Sequence, residues 1–172
     1  MDLKAKLRVI PDFPKPGINF IDITTLLKDG AAMKYAFDQM ADMVQDLEAD
    51  VLVGPEARGF LVGAPLAYRL GAGFIPVRKS GKLPGEVIQA SYELEYGNDV
   101  LQIHKDAITP GVKVLVVDDL LATGGTIWST ADLIRRLGGE LVGFAFLVEL
   151  TFLKGREKLA GYPVRSLLKY DA

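Results

Sequence analysis

The sequence predicts an α/β fold with a mostly parallel central sheet flanked by helices. Short apolar runs rich in β-branched residues alternate with longer stretches whose apolar residues recur at helical spacing. The short runs are apolar almost throughout, as expected of parallel strands covered on both faces. The chain has 172 residues, 49% of them hydrophobic and 24% charged. That is enough for one domain with a sizeable core and short for two, so residues 1–172 are read as a single domain.

Each element follows from its own pattern. Met33, Phe37, Met40, Val44 and Leu47 mark a helix within 29–48, with Asp29 as its cap. A strand over 51–53 ends at Gly54-Pro55, and a helix follows over 60–70 with Pro65 as a point of kinking. Residues 74–77 and 100–103 read as strands. Val112-Lys113-Val114-Leu115-Val116-Val117 is the clearest strand in the chain. Ile127, Ala131, Ile134 and Leu137 then set a helical face that Gly138-Gly139 closes, and 141–150 and 164–168 supply two late strands. Two segments stand outside this alternation. One is the entry Pro11-Asp12-Phe13-Pro14-Lys15-Pro16-Gly17; the other is 79–97, longer than the ~12–15 residues of ordinary loops and read as a flexible lid or binding loop.

Composition narrows the chemistry. Twenty Lys and Arg stand against 22 Asp and Glu, a formal net charge of −2, which argues against a dedicated nucleic-acid binder. There is no cysteine and a single histidine, His104, so thiol nucleophiles, disulfide frameworks and Cys- or His-based zinc sites are excluded. No run approaches the ~18 apolar residues of a membrane span, and the N-terminus lacks a signal-type apolar core. The expectation is a soluble, cytoplasmic protein. His104, Trp128 and Met40 receive a structural reading only.

In parallel sheets ligands bind beyond the carboxyl ends of the strands. After the strand 112–117 comes Asp118-Asp119-Leu120-Leu121-Ala122-Thr123-Gly124-Gly125-Thr126. Backbone N–H groups where a helix begins have no intrahelical partner, and two glycines let them fold around an anion while two hydroxyls add donors. Adjacent carboxylates just upstream can accept hydrogen bonds from vicinal hydroxyls. A phosphate cradle beside a diol acceptor describes a site for a ribose 5-phosphate. The other common phosphate signatures, G-x-x-x-x-G-K-[ST] and G-x-G-x-x-G, are missing. At the same sheet edge Arg58 can grip a pyrophosphate with both arms of its guanidinium, and Gly59 permits close approach. Arg78, Lys79 and Lys82 form a basic island suited to a cationic lid that excludes water from an activated ribosyl carbon.

The run Val114-Leu115-Val116-Val117-Asp118-Asp119-Leu120-Leu121-Ala122-Thr123-Gly124-Gly125-Thr126 resembles the phosphoribosyl-pyrophosphate (PRPP) motif of type I phosphoribosyltransferases. Ala57-Arg58-Gly59-Phe60, Gly81-Lys82-Leu83-Pro84-Gly85, Ser91-Tyr92-Glu93-Leu94-Glu95-Tyr96-Gly97 and Leu153-Lys154-Gly155-Arg156 extend the resemblance, in order, to the branch of the family that uses adenine. The resemblance implies the type I fold, with a small N-terminal hood over 10–28 and a catalytic loop over 79–97. It implies purine salvage: transfer of the 5-phosphoribosyl group of PRPP to adenine, giving AMP and pyrophosphate. Asp118, Asp119, Ala122, Thr123, Gly124, Gly125 and Thr126 would hold ribose and 5-phosphate, and Arg58, Arg78, Lys79 and Lys82 the pyrophosphate. Asn19, Phe20 and Ile21 would meet adenine, with the Phe20 ring stacking on it. Mg²⁺ would travel on PRPP with no direct protein ligand, and a homodimer is expected. The alternatives are a xanthine or hypoxanthine–guanine phosphoribosyltransferase and a non-catalytic PRPP sensor on the same fold.

The acid is the one role for which periodicity offers two residues, because Glu93 and Glu95 share a strand face. The resemblance places the catalytic acid at Glu95, with Tyr96 completing the site. Steady-state kinetics of Glu95→Ala are expected to show a fall in kcat far larger than any loss of PRPP affinity. A larger effect from Glu93→Ala would move the role to that residue.

Overall fold

The computed structural model describes residues 1–94 and 97–172; Glu95 and Tyr96 lie outside the described residues. The chain opens with a small antiparallel pair, β1 (Arg8–Ile10) and β2 (Phe20–Asp22), followed by the short α1 (Thr24–Leu27). β2 and α1 lie within the segment 10–28, and β1 begins two residues before it. Helix α2 (Gly30–Val44) starts as predicted, with the Asp29 carboxylate accepting the Ala32 N–H at 3.1 Å, and it buries Phe37, Met40 and Val44. Next come β3 (Val51–Pro55), α3 (Arg58–Leu70), β4 (Gly73–Lys79), β5 (Val87–Leu94) and β6 (Gly97–His104). The chain ends with β7 (Lys113–Leu121), α4 (Gly125–Arg136), β8 (Glu140–Leu150) and β9 (Val164–Tyr170).

Among the described residues the main sheet has seven strands in the order β5-β6-β4-β3-β7-β8-β9. From β4 to β9 the neighbours are parallel, while β6 joins β4 and β5 joins β6 in antiparallel fashion. Strand alternation divides the core in two. Leu52, Leu115, Val117, Ala145 and Leu147 pack under α2 and α3; Val53, Val114, Val116, Phe144 and Phe146 pack under α4. Strands buried on both faces cannot alternate apolar with polar, which is why they read as continuous apolar runs.

Two expectations need revision. The strand 112–117 continues to Leu121, so Asp118 and Asp119 lie within the strand rather than directly after it, Asp118 opposite Phe146 of β8. Residues 79–97 are not loop throughout. Val87–Leu94 pairs with β6 over eight positions, with Ile88, Ala90 and Tyr92 against the α4-side core, leaving Ser80 to Glu86 as the irregular part. The Gly- and Pro-rich tract at 81–85 drew attention away from the period-two pattern that follows it.

β3 passes through α3 to β4 on one side, and β7 passes through α4 to β8 on the other, so the strand order reverses between β3 and β7. A crevice at the carboxyl ends of these two strands is a consequence of that reversal. Leu115 is fully buried in the central strand β7. Truncation in Leu115→Ala is expected to cost about 2–5 kcal/mol, read as a lower urea midpoint at unchanged m-value.

Candidate active site

The crevice between β3 and β7 holds a cavity of about 270 Å³. Glu56, Ala57 and Arg58 close one side, Asp118 to Ile127 wrap the other, and Tyr92 reaches in from β5. Gly124 takes the left-handed conformation, φ +86°, as α4 begins at Gly125. The N–H groups of the helix's first turn therefore face the cavity with no helical acceptors. Thr123 is exposed and Thr126 half-buried. At the other wall the Glu56–Ala57 peptide is cis, and Gly59 leaves room for the acids: a Cβ there would sit 3.1 Å from Asp118 Oδ1 and 3.0 Å from Pro55 Cδ.

The two acids have different surroundings. Asp118 Oδ1 accepts the Asp119 N–H at 2.8 Å. Burial, and then repulsion from Asp119, push the Asp118 carboxyl well above its ordinary range. Asp119 is 2% exposed. Arg58 Nε lies 3.1 Å from its Oδ2 as a charge partner, yet that oxygen receives no hydrogen bond, so a buried acceptor is left available at the cavity.

Arg58 also lines a second, more apolar cavity of about 370 Å³ formed with Ile10, Phe13, Phe20, Ile23 and Leu61. Its guanidinium stands 5.4 Å from the centre of the Phe20 ring, and Phe13 meets Phe20 edge-on at 5.3 Å. Asp22 borders this cavity with its carboxyl held down to about 2 by the Thr24 hydroxyl and amide and by Arg8.

The sequence-derived site residues are brought together unevenly. Arg58 and the whole of Asp118 to Thr126 line the first cavity. Arg78 and Lys79 stand behind it, tied to Glu56: its Oε1 lies 3.2 Å from Arg78 Nε and accepts the Lys79 N–H at 2.7 Å. Lys79 Nζ lies 3.6 Å from Asp99. Lys82 is exposed and does not line the cavity. Of the base-contacting set, Phe20 faces the apolar cavity. Ile21 is 4% exposed in the core, and it borders a separate depression together with Asn19. Glu95 and Tyr96 fall outside the described residues.

Sequence reasoning assigned no role to Glu56 or Tyr92. Tyr92 Oη donates to Asp99 at 3.0 Å, directly across the β5–β6 pair, and burial followed by that bond raises its pKa. The available signal was the alternation of Ser91, Tyr92 and Glu93, which sets Tyr92 on the face opposite Glu93. His104 Nε2 lies 3.0 Å from the Pro84 carbonyl oxygen, and Met40 is fully buried.

The sequence matches the phosphoribosyl transferase domain family over residues 24–167. It is 64% identical over 170 residues to the adenine phosphoribosyltransferase of Alkaliphilus metalliredigens, covering 99% of this chain and 100% of that one. The chain belongs to the adenine phosphoribosyltransferase family. Among solved adenine phosphoribosyltransferases, that of Thermoanaerobacter pseudethanolicus superposes with a TM-score of 0.95 at 56% identity, over 98% of both chains. The Saccharomyces cerevisiae adenine phosphoribosyltransferase, solved with adenine and an imino-altritol bisphosphate, gives 0.91 at 42% identity over 97% of both. The fold expected of a type I phosphoribosyltransferase is the fold found. No helix among the described residues is long and apolar enough to cross a membrane.

The raised Asp118 carboxyl has a measurable consequence. A folded-state pKa above the unfolded one means the folded chain binds the proton more tightly, so stability falls as pH rises from about 3.8 through the folded value. Asp118→Asn is expected to raise Tm at neutral pH, with a gain that shrinks as the pH approaches 4.

Proposed function

We propose that the chain transfers the 5-phosphoribosyl group of PRPP to adenine, giving AMP and pyrophosphate, in purine salvage. The observation that carries this reading is the pair of adjoining cavities that share Arg58. One is rich in carboxylates, hydroxyls and free helix-terminal N–H groups, and the other is apolar with an aromatic wall. The first has the chemistry of a ribose phosphate and the second that of a purine.

In this reading Ala122 to Thr126 hold the 5-phosphate as a fixed pivot. Asp118 and Asp119 accept the ribose hydroxyls, which also supply the donor that Asp119 Oδ2 lacks. Arg58, Arg78, Lys79 and Lys82 take the charge that develops on the leaving pyrophosphate. The paired carboxylates favour an oxocarbenium-like ribosyl carbon. Phe20 stacks on adenine, the backbone at Asn19 and Ile21 reads its edge, and Glu95 assists proton transfer. With no protein nucleophile evident, the reaction is a direct displacement. Mg²⁺ fits the site as a passenger on PRPP: it prefers oxygen ligands, keeps several waters, and would neutralise pyrophosphate when bound. Asp118 and Asp119 are carboxylates lining the cavity that could meet its hydration shell.

The whole chain acts as one domain, with 10–28 as a hood over the base and 79–97 as the catalytic lid. We place the enzyme in the cytoplasm as a homodimer. The exposed apolar stripe of α3, with Leu61 47% and Tyr68 90% exposed, supports a second copy against that helix.

A base panel with PRPP and Mg²⁺, followed by pyrophosphate release, tests the reading. Adenine is expected to turn over while guanine, hypoxanthine and xanthine do so poorly, and EDTA should abolish turnover. Preference for another base would reassign the enzyme. Tight PRPP binding without turnover of any base would make the chain a sensor.

A further inference from the structure

The segment after β8 lies against the back of the phosphate loop. Gly155 opens a 3₁₀ turn, Gly155–Leu159, and its backbone touches the loop on two sides. A Cβ on Gly155 would collide with the Ala122 carbonyl oxygen, and one on Gly124 would come within 2.9 Å of the Gly155 carbonyl oxygen. Two stretches of backbone are thus in direct contact, with no side chain between them to absorb an error of position.

The next residue holds this turn in place. Arg156 Nε and Nη2 donate to the two carboxylate oxygens of Glu149 at 3.0 and 2.6 Å, and Nη1 donates to the Val164 carbonyl at 2.7 Å. Ser166 Oγ adds a bond to Glu149 Oε2 at 2.6 Å. Glu149 is 3% exposed. Its burial would raise the carboxyl, yet Arg156 and Ser166 together hold it below its ordinary value. One guanidinium therefore joins the end of β8, the start of β9 and the turn beneath the phosphate loop. A planar fork with three directed bonds fixes orientation as well as distance.

We propose that Arg156, locked by Glu149, is a positioning residue for phosphate binding: it sets the Gly155 backbone against Ala122 and Gly124, and so fixes the curvature of the cradle. Arg156 touches no substrate and acts through Gly155. The inference rests on reading 122–126 as the 5-phosphate site. Arg165 offers an internal contrast. From β9 it pairs with Asp46 through two bonds of 2.9 and 3.0 Å and donates to the Met43 carbonyl at 2.6 Å, away from the cradle.

Steady-state kinetics with adenine and PRPP, together with calorimetric binding of ribose 5-phosphate, test the proposal on the full chain. Arg156→Gln is expected to raise KM for PRPP about tenfold and weaken ribose 5-phosphate binding similarly, while kcat and KM for adenine stay within about threefold. Glu149→Gln should shift them in the same sense by less, and Arg165→Gln should leave all of them unchanged. An unchanged KM for PRPP in Arg156→Gln would overturn the proposal. So would a parallel loss with adenine and in kcat, or an equal effect of Arg165→Gln. Should Arg156→Gln fail to fold, Glu149→Gln carries the same test. Failure of the unaltered chain to use adenine would count against the proposed reaction instead, and ribose 5-phosphate binding would still decide the role of Arg156.

Discussion

Asp118 and Asp119 stand side by side at the end of a strand buried on both faces, where they repel each other and have lost most of their water. Every neighbouring feature bears on that unfavourable arrangement. Gly59 omits a side chain so that Asp118 fits, Arg58 sets a positive charge beside Asp119, and Asp119 Oδ2 is buried at the cavity wall without a hydrogen-bond donor. A core designed for stability alone would place apolar residues there. The chain instead retains a buried oxygen without a hydrogen-bond donor, an arrangement that costs stability and that the proposed ribose hydroxyls would relieve.

The opposite wall follows another logic. Besides the Thr123 and Thr126 hydroxyls, its donors are backbone N–H groups, which do not change protonation and which no substitution but proline removes. Their reliability depends on the path of the chain, so the elements that matter are those that shape it: the left-handed Gly124, the start of α4, and the turn pressed against the loop from behind. In the proposed reading, charged side chains would recognise ribose and pyrophosphate, whereas main-chain geometry would recognise the phosphate.

The sheet and its helices were legible because strands covered on both faces must be apolar throughout, and Asp29 could be read as a cap from its position alone. The Asp118–Thr126 motif was legible for a similar reason: acids, glycines and hydroxyls in that order have few other uses at a strand end. Residues whose roles arise from pairing across space left weaker marks. The strand 87–94 sits beside a Gly- and Pro-rich tract, and its partner β6 gives no local sign of the pairing. Glu56 meets Arg78 and Lys79 only because β3 and β4 are neighbours. The resemblance likewise put Asn19, Phe20 and Ile21 in one group, although strand alternation turns Phe20 toward one depression and its two neighbours toward another.

Arg58 forms part of the wall of both cavities, so the two cannot be filled independently. A ligand that draws its guanidinium away from Asp119 on one side, or from the Phe20 ring on the other, would change what the second cavity offers. Thermodynamic reciprocity then requires that each ligand alter the other's affinity by the same factor. Under the proposed reading, that coupling between the two ligands would run through a single side chain.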